Sequence, residues 1–219
     1  MKSVLISIQP YYVFLIIAKI MGWGIGKEKT VEVRKNYPKD KSWNKIARIY
    51  CSKNKQSFNQ IPKEYQPLMR QFLGKVIGEF VCDETTEYEG EFYDDETQEY
   101  IKKVIHTTDW DGYPEIDYSF IAENGEENSL CNTSCLTWQE LRNYMGEGIN
   151  TFYAWRISDL KIYDKPKELS EFKQVRVIRG YHKKGESQIE KLLNSSRLEV
   201  KYLKRPPQSW CYVGEGEGK

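Results

Sequence analysis

A short segment near the start of the chain brings a lysine, a threonine, a glutamate and an arginine close together. In residues 29–35, valines alternate with polar residues, which is the pattern of a half-buried strand. Side chains of a strand alternate between its two faces, so Thr30, Glu32 and Arg34 are predicted to share the face opposite the valines. Lys29 has the valine parity and joins the polar face only if the strand is irregular at its start.

These side chains could catalyse a reaction. A lysine becomes a nucleophile when burial or a neighbouring cation lowers its pKa, and Lys27 and Arg34 are cations close to Lys29 in sequence. Glu32 could then accept the proton. The same residues also have a plain structural interpretation, in which Glu32 and Arg34 form ordinary cross-strand pairs worth about 0.2–1 kcal/mol each.

Ligand binding is the second chemical use of this segment. Arg34 could hold a phosphate or a base edge with two hydrogen bonds. Tyr50, Trp155 and Trp210 could stack on bases, at about 1–3 kcal/mol each, although core packing is the alternative role of the two tryptophans. Lysines that could follow a phosphate backbone, with salt-sensitive affinity, are Lys27, Lys35, Lys39, Lys41 and Lys45.

Charge is distributed unevenly along the 219 residues, although the formal net charge is only +1. Residues 1–75 hold 15 basic and 4 acidic side chains, a net of +11. Residues 83–127 hold 2 and 16, a net of −14, and residues 173–205 hold 10 and 3, a net of +7. Either a solvated surface or a basic nucleic-acid groove with an acidic lobe elsewhere would produce this distribution.

The cysteines and the apolar segments exclude several classes of protein. Five cysteines are few and odd in number, so a reducing cytoplasm is predicted. Cys131 and Cys135 have only His106 and His182 as additional histidine ligands, and neither a metal site nor a cofactor is predicted. The apolar run 4–25 is broken by a proline and a lysine into pieces shorter than the ~20 residues that cross a bilayer, so neither a membrane partner nor a signal peptide is predicted.

Short strands and helices are predicted along most of the chain. Strands are predicted at residues 4–8, 29–35, 46–51, 75–82, 152–163, 174–178, 198–203 and 205–213. Helices are predicted at residues 12–21 after Pro10, within 58–73, from Ser134 onward, in the last part of 166–172 and at 187–194. Thr137 and Glu140 are predicted to form a capping box, and Gly78 to mark a bulge or a close approach of two backbones.

Six fragments, taken in order, resemble the ASCH-domain proteins carried by bacteriophages and prophages. The fragments are SIQP at 7–10, KTVEVRK at 29–35, GKVIG at 74–78, YAWRI at 153–157, DKPKEL at 164–169 and PPQSW at 206–210. The resemblance implies an α+β fold, namely a PUA-like small β-barrel with helices packed over it, related to the EVE and YTH folds. It implies one domain, 1–213, with an acidic β insertion at 83–130, a basic extension at 173–204 and a frayed tail at 214–219.

The main prediction that follows from this resemblance is RNA or nucleotide binding in a basic cleft. Proteins of this superfamily bind RNA or modified nucleobases, and ASCH proteins are proposed to act in RNA metabolism or transcription. The predicted binding residues are Lys29, Thr30, Glu32, Arg34, Lys35, Tyr50, Trp155 and Trp210.

Two alternatives stay open. Some ASCH members are small amidohydrolases that act on an acylated cytidine, and others are ribonucleases. The resemblance implies that the amidohydrolase lysine corresponds to Lys29 and that Glu140 is the candidate for their glutamate, but their catalytic threonine falls where this chain has Glu32. The catalytic residues would then be Lys29 and Glu32. The second alternative is a phage protein that inhibits a host nucleic-acid-binding factor through its acidic insertion.

Overall fold

Strands dominate the computed structural model, which describes residues 2–40, 42–92, 99–104, 107–108, 114–115, 119–122, 129–146, 151–178 and 197–214. The strands are β1 (Lys2–Ile8), β2 (Val31–Arg34), β3 (Trp43–Cys51), β4 (Lys75–Val81), β5 (Thr85–Phe92), β6 (Glu99–Val104), β7 (Thr107–Thr108), β8 (Pro114–Glu115), β9 (Ser119–Ala122), β10 (Thr151–Arg156), β11 (Ser158–Glu168), β12 (Lys173–Ile178), β13 (Arg197–Tyr202) and β14 (Trp210–Gly214). The helices are α1 (Pro10–Ile17), α2 (Lys55–Phe58), α3 (Gln66–Phe72), α4 (Ser129–Ser134) and α5 (Trp138–Met145).

Two large sheets are formed by the described strands. The first has the order β11-β4-β3-β1-β14-β12-β13, and the second has the order β2-β10-β5-β6-β9. Strand β1 is parallel to β3 and antiparallel to β14. These sheets and the short helices confirm the predicted α+β class. Closure into a barrel is not shown, because the outer strands of each sheet are not paired with each other in the described part of the chain.

Strand β1 is buried on both of its faces, which explains its continuous apolar sequence. Val4 and Ile6 belong to one core cluster, which they share with the residues of α1. Leu5 belongs to another cluster, together with Phe172 and Val213. The first sheet therefore has apolar packing on both sides, and its central strand supplies a fixed backbone next to the candidate site.

A third apolar cluster joins the second sheet to α4 and α5. Val33 of β2 packs in this cluster with Leu130 of α4 and Leu141 of α5. The rings of Tyr88 and Phe152 stack below them, with centroids 5.1 Å apart and planes inclined by 5°. This packing holds β2 and α5 in a constant relative position, and both elements line the cleft described below.

Two predicted helix boundaries are wrong. Helix α1 does begin at Pro10, but it ends at Ile17, because the following residues form turns that lead to Gly22 with φ 66°. Ser134 ends α4 rather than starting a helix, since the next residue, Cys135, has φ 56°. Helix α5 starts at Trp138.

The predicted strand 152–163 is two strands, β10 and β11, which belong to different sheets. The chain changes sheets at Ile157, whose N–H donates to the Thr30 carbonyl at 2.9 Å. Strand β11 then continues to Glu168, before a 3-10 turn at Leu169–Glu171, so the helix predicted there is a single turn. The predicted close approach at Gly78 is confirmed, because a Cβ at this position would collide with the Lys161 carbonyl oxygen.

The acidic segment continues the second sheet. Strands β5 and β6 pair in an antiparallel arrangement, and β5 also pairs with β10. The side chains of residues 89–129 and the helix predicted at 187–194 lie outside the described residues. None of the helices in the described ranges is long and apolar enough to cross a membrane.

Candidate functional site

A polar cleft of about 830 Å³ lies between α1, β2, α2, α5 and the loop that precedes β14. Its lining is Ser7, Ile8, Gln9, Tyr12, Lys29, Glu32, Val33, Arg34, Ser52, Asn54, Gln56, Ser57, Gln60, Leu136, Glu140, Asn143, Tyr144, Pro206, Pro207 and Gln208. This volume is within the range of small-ligand pockets. Polar side chains predominate in the lining, so the cleft is suited to a ligand with many hydrogen-bonding groups.

Three charged side chains form the floor of this cleft. Arg34 Nη2 lies 2.8 Å from Glu32 Oε1, and Lys29 Nζ lies 3.3 Å from Glu32 Oε2. The side chains of Lys29, Glu32 and Arg34 are 2%, 9% and 8% exposed. One carboxylate therefore bridges two buried cations, and we call these residues the buried ion cluster, with a formal charge of +1.

The irregular start of β2 brings Lys29 into the cluster. The strand begins only at Val31, so the alternation rule does not apply to Lys29. The Lys29 N–H donates to the Leu15 carbonyl at 3.2 Å, and the Thr30 N–H donates to the Thr133 carbonyl at 2.8 Å. These bonds fix the segment between α1 and α4. The Lys29 side chain then reaches the carboxylate of Glu32, three residues further along the chain.

Lys29 is held from several directions. Its Nζ donates to the Ser134 carbonyl at 2.7 Å and lies 5.2 Å from the centroid of the Tyr12 ring. Burial lowers the pKa of Lys29 below its ordinary value, and the charge of Glu32 partly opposes this shift. The ammonium group is thus a buried cation with a fixed position.

Arg34 connects β2 to the first sheet and to α5. Its Nη2 donates to the Ser7 carbonyl of β1 at 2.6 Å, in addition to the contact with Glu32. Arg34 is also hydrogen bonded to Tyr144, whose pKa is raised mainly by burial. Because Nη2 is already bonded twice within the protein, Arg34 is primarily a support for the floor of the cleft.

Several buried polar atoms around the floor have no hydrogen-bond partner among the described residues. They are Glu32 Oε2, Arg34 Nε and Ser52 Oγ, and all three belong to residues that line the cleft. Glu32 Oε2 is near Lys29 Nζ, but the two form an ion pair without hydrogen-bond geometry. Buried polar groups are usually satisfied, so these atoms indicate a place where a ligand or water supplies the partner.

Helix α5 forms one wall of the cleft and confirms the predicted capping box. The Glu140 N–H donates to Thr137 Oγ1 at 3.2 Å, and Glu140 Oε2 accepts from the Thr137 N–H at 2.8 Å. Glu140 Oε1 lies 3.5 Å from the Tyr12 hydroxyl, which donates to it. Burial is the main cause that raises the pKa of Tyr12 above its ordinary value, and the nearby Glu140 raises it further.

The structure brings together only some of the predicted site residues. Lys29, Glu32 and Arg34 meet in the cleft, together with Glu140. Thr30 is exposed and is not part of the lining. Its backbone N–H donates to the Thr133 carbonyl, and its carbonyl accepts from the Ile157 N–H. Lys35 is not part of the lining. Its Nζ lies 5.3 Å from the centroid of the Tyr144 ring, which does line the cleft.

The three aromatic candidates lie elsewhere. Trp155 is fully buried in the core, between Trp43 and Trp210, so its ring is not available for stacking on a base. Trp210 is half-buried, and its Nε1 donates to the Asn36 carbonyl at 3.2 Å. Tyr50 is buried at the edge of a smaller groove.

Sequence reasoning missed several residues of the lining. Tyr12 and Tyr144 come from two helices whose relative position depends on the packing of α1 and α5. Side-chain amides of Gln9, Gln56, Gln60 and Gln208 also line the cleft. Gln9 and Gln208 lie in fragments that carried the family resemblance, which was the only available signal for them. Among the described residues, no group of three or more His, Cys, Asp or Glu could hold a metal ion.

Comparisons with known proteins give structural neighbours only. No family model matches the chain, and no curated protein matches it. The chain is similar to the crystal structure of ASCH from Zymomonas mobilis, with 15% identity over 97% of this chain and 88% of that chain and a TM-score of 0.44. Two point variants of the Zymomonas protein, each 16% identical, match with TM-scores of 0.40 over 99% and 98% of this chain and 94% and 90% of theirs.

Proposed function

We propose that this chain binds RNA or a nucleotide, with one base in the cleft above the buried ion cluster. The observation that carries the proposal is the buried Glu32 Oε2, which has no hydrogen-bond partner among the described residues and lies at the base of a polar cleft of about 830 Å³. A carboxylate oxygen accepts hydrogen bonds from amino groups, and the exocyclic amino group of a base is such a donor. Lys29 and Arg34 hold this carboxylate in place.

The side-chain amides of the lining support a base as the ligand. Gln9, Gln56, Gln60 and Gln208 are exposed and face the same space. An amide presents both a donor and an acceptor, which is the combination that reads the edge of an unpaired base. Tyr12 and Tyr144 add flat apolar surface beside the charged floor.

The family resemblance extends the proposal. An ASCH-type protein with such a cleft would act in RNA metabolism or transcription regulation, in the cytoplasm of a bacterium that carries the phage or prophage. The polar cleft supports the binding part of this proposal, whereas the biological setting depends on the resemblance alone.

A binding titration tests the proposal. Nucleoside monophosphates and a short single-stranded RNA are titrated into the protein by calorimetry at low and at moderate salt. We expect saturable binding of both ligands, and binding of the RNA should weaken as salt increases, because its several phosphates contribute to affinity. The double variant Gln9→Ala/Gln56→Ala removes two exposed amides of the cleft and is expected to weaken binding at both salt concentrations.

The matched control is Gln71→Ala, which removes an exposed amide of α3 outside the cleft. It should bind like the parent protein. If neither monophosphates nor RNA bind at low salt, or if the double variant binds as well as the control, the proposal is wrong.

Hydrolysis of an acylated cytidine is the second candidate function, because burial lowers the pKa of Lys29 and a carboxylate lies 3.3 Å from its Nζ. In this reaction a neutral Lys29 would attack the amide carbonyl and expel the amino group of cytidine, which takes up the proton that the lysine loses. Water would then hydrolyse the acyl-lysine, releasing the carboxylic acid and the free lysine. Release of cytidine from its acylated form measures this reaction. We expect Lys29→Met to abolish turnover. Turnover that persists in this variant would exclude Lys29 as the nucleophile.

A further inference from the structure

Two grooves adjoin the cleft at the loop before β14. The first, of about 900 Å³, is lined by Gln174, Lys201, Tyr202, Leu203, Lys204, Arg205, Pro206, Pro207, Gln208 and Cys211. The second, of about 390 Å³, is lined by Tyr50, Ser52, Lys53, Gly74, Leu169, Lys204 and Pro206. Pro206 lines the cleft and both grooves, so the three concave surfaces meet at one loop.

Charge differs between the cleft and the grooves. The cleft has two basic residues, Lys29 and Arg34, and two acidic ones, Glu32 and Glu140, so its lining is formally neutral. Among the described residues, the linings of the two grooves contain basic side chains and no acidic one. These basic residues are Lys53, Lys201, Lys204 and Arg205. The neutral cleft suits a base, whereas the grooves suit phosphates.

The first groove also has an exposed aromatic ring. Tyr202 is 57% exposed, whereas most of the large apolar side chains of the described chain are buried. Lys173 Nζ lies 5.2 Å from the centroid of this ring and helps to hold it in place. An exposed tyrosine among lysines is the combination with which single-strand binding proteins stack bases and hold the backbone.

The backbone that carries these residues is well supported. Leu203 is buried, and its N–H donates to the Phe172 carbonyl at 2.9 Å. Pro206 and Pro207 restrict the backbone directly after Arg205. The exposed side chains of Lys204 and Arg205 therefore project from a rigid segment, which limits the entropy that is lost when they bind a ligand.

We infer that the cleft and the two grooves form one path for single-stranded RNA of several nucleotides. One base occupies the cleft, the neighbouring phosphates lie over Lys204 and Arg205, and a further base stacks on Tyr202. The inference depends on the proposed function, because it places the base of the cleft in a longer strand. The preferred ligand is thus an unpaired RNA segment rather than a free nucleotide.

A length series tests this path. A mononucleotide, a dinucleotide and a single-stranded octanucleotide of RNA are titrated into the protein at several salt concentrations. We expect the octanucleotide to bind at least tenfold more tightly than the mononucleotide, since stacking of one further base and two phosphate contacts are gained. A duplex of the same RNA should bind more weakly than the single strand, because its bases cannot enter the cleft.

Variants of the first groove identify the residues that give the octanucleotide its higher affinity. The double variant Lys204→Ala/Arg205→Ala should weaken octanucleotide binding and reduce the slope of log affinity against log salt by about 1.4, at roughly 0.7 for each phosphate contact. Tyr202→Ala should weaken octanucleotide binding by about fivefold or more. Neither change should affect the mononucleotide. Lys63→Ala, at an exposed position outside the grooves, is the matched control for charge.

The outcomes separate this inference from the proposed function. The path is wrong, and the cleft proposal stands, if the mononucleotide binds and the octanucleotide binds with no higher affinity. The same holds if the groove variants bind RNA as tightly as Lys63→Ala does. If Lys204→Ala/Arg205→Ala abolishes octanucleotide binding and Gln9→Ala/Gln56→Ala does not weaken it, the cleft proposal is wrong. The path as described is then wrong as well. Equal binding of duplex RNA, or of single-stranded DNA with the same sequence, would overturn the assignment to single-stranded RNA.

Discussion

Replacing Glu32 by glutamine should destabilise the protein strongly, because it leaves two buried cations without their shared counter-charge. Arg34 Nη2 and Lys29 Nζ lie 2.8 and 3.3 Å from the carboxylate, and all three side chains are less than a tenth exposed. Breaking a buried ion pair in this way costs about 3–5 kcal/mol, whereas an exposed pair contributes about 0–1 kcal/mol. We therefore expect Glu32→Gln to lower the free energy of unfolding by about 3–5 kcal/mol.

Lys29→Met should be less costly than Glu32→Gln. It leaves Glu32 and Arg34 as a neutral pair and removes an ammonium group whose burial is unfavourable. The main loss is the hydrogen bond to the Ser134 carbonyl, which leaves a buried acceptor without a donor at about 1–3 kcal/mol. The order of the two variants, more than either value, tests whether the carboxylate is the centre of the cluster.

Urea unfolding followed by tryptophan fluorescence measures both variants, with the exposed Glu64→Gln as control. The control should remain within about 0.5 kcal/mol of the parent protein. A cost below about 1 kcal/mol for Glu32→Gln, or a cost no greater than that of Lys29→Met, would refute the reasoning. The first result would mean that water screens the cluster as it screens a surface pair.

The pH dependence of the same variants provides an independent check. Burial lowers the pKa of Lys29 in the folded state, so between the folded and the unfolded values the unfolded state binds the proton more tightly. The contribution of Lys29 to stability therefore rises as pH increases towards 10.5, its ordinary value. The difference in unfolding free energy between the parent protein and Lys29→Met should grow in that direction, and a constant difference would contradict the assigned shift.

Three other sites give further predictions. Burial raises the pKa of Cys51 to about 12, so its thiol should resist alkylation at neutral pH in the folded protein, and rapid labelling without unfolding would contradict this. The hydrogen bond from Lys2 lowers the pKa of Asp40 to about 2, so its contribution to stability is present above about 3.8 and is lost as pH falls towards 2. Lys2→Met should raise that pKa in a carboxyl NMR titration, and an unchanged value would exclude Lys2 as the cause. Gly78→Ala should lower the free energy of unfolding, measured in urea, by about 1–3 kcal/mol, because the new methyl group meets the Lys161 carbonyl. An unchanged unfolding midpoint would show that β4 and β11 can move apart at this position without cost.

Local sequence rules predicted the parts of the site that depend on neighbours in the chain. Alternation along β2 placed Glu32 and Arg34 on one face, and the contact between them is observed. The rule also identified the condition under which Lys29 could join them, and the irregular start of β2 fulfils it. The capping box of Thr137 and Glu140 was likewise predictable, because both partners lie within one helical turn.

The remainder of the site depends on contacts between distant parts of the chain. Arg34 is bonded to the carbonyl of Ser7, and Lys29 to that of Ser134, which follows it by 105 residues. No local pattern contains this information, because it arises from the packing of two sheets and several helices. Trp155 illustrates the same limit, since an amphipathic ring suits a core and a binding surface equally well. The structure places it in the core.

The buried ion cluster has a cost in stability and lies at the base of the cleft. A buried charged cluster is a poor source of stability, since apolar residues of similar size often stabilise a protein more. Here its cost accompanies a carboxylate oxygen, Glu32 Oε2, that has no hydrogen-bond partner among the described residues and lies at the bottom of the cleft. The grooves beside it have basic residues in their described lining. A ligand that donates to Glu32 Oε2 would satisfy this atom and stabilise the folded state by mass action, by about 2.7 kcal/mol at a hundredfold excess over Kd. Under the proposed function, a ligand bound at this carboxylate would therefore offset part of the cost that the cluster imposes on the free protein.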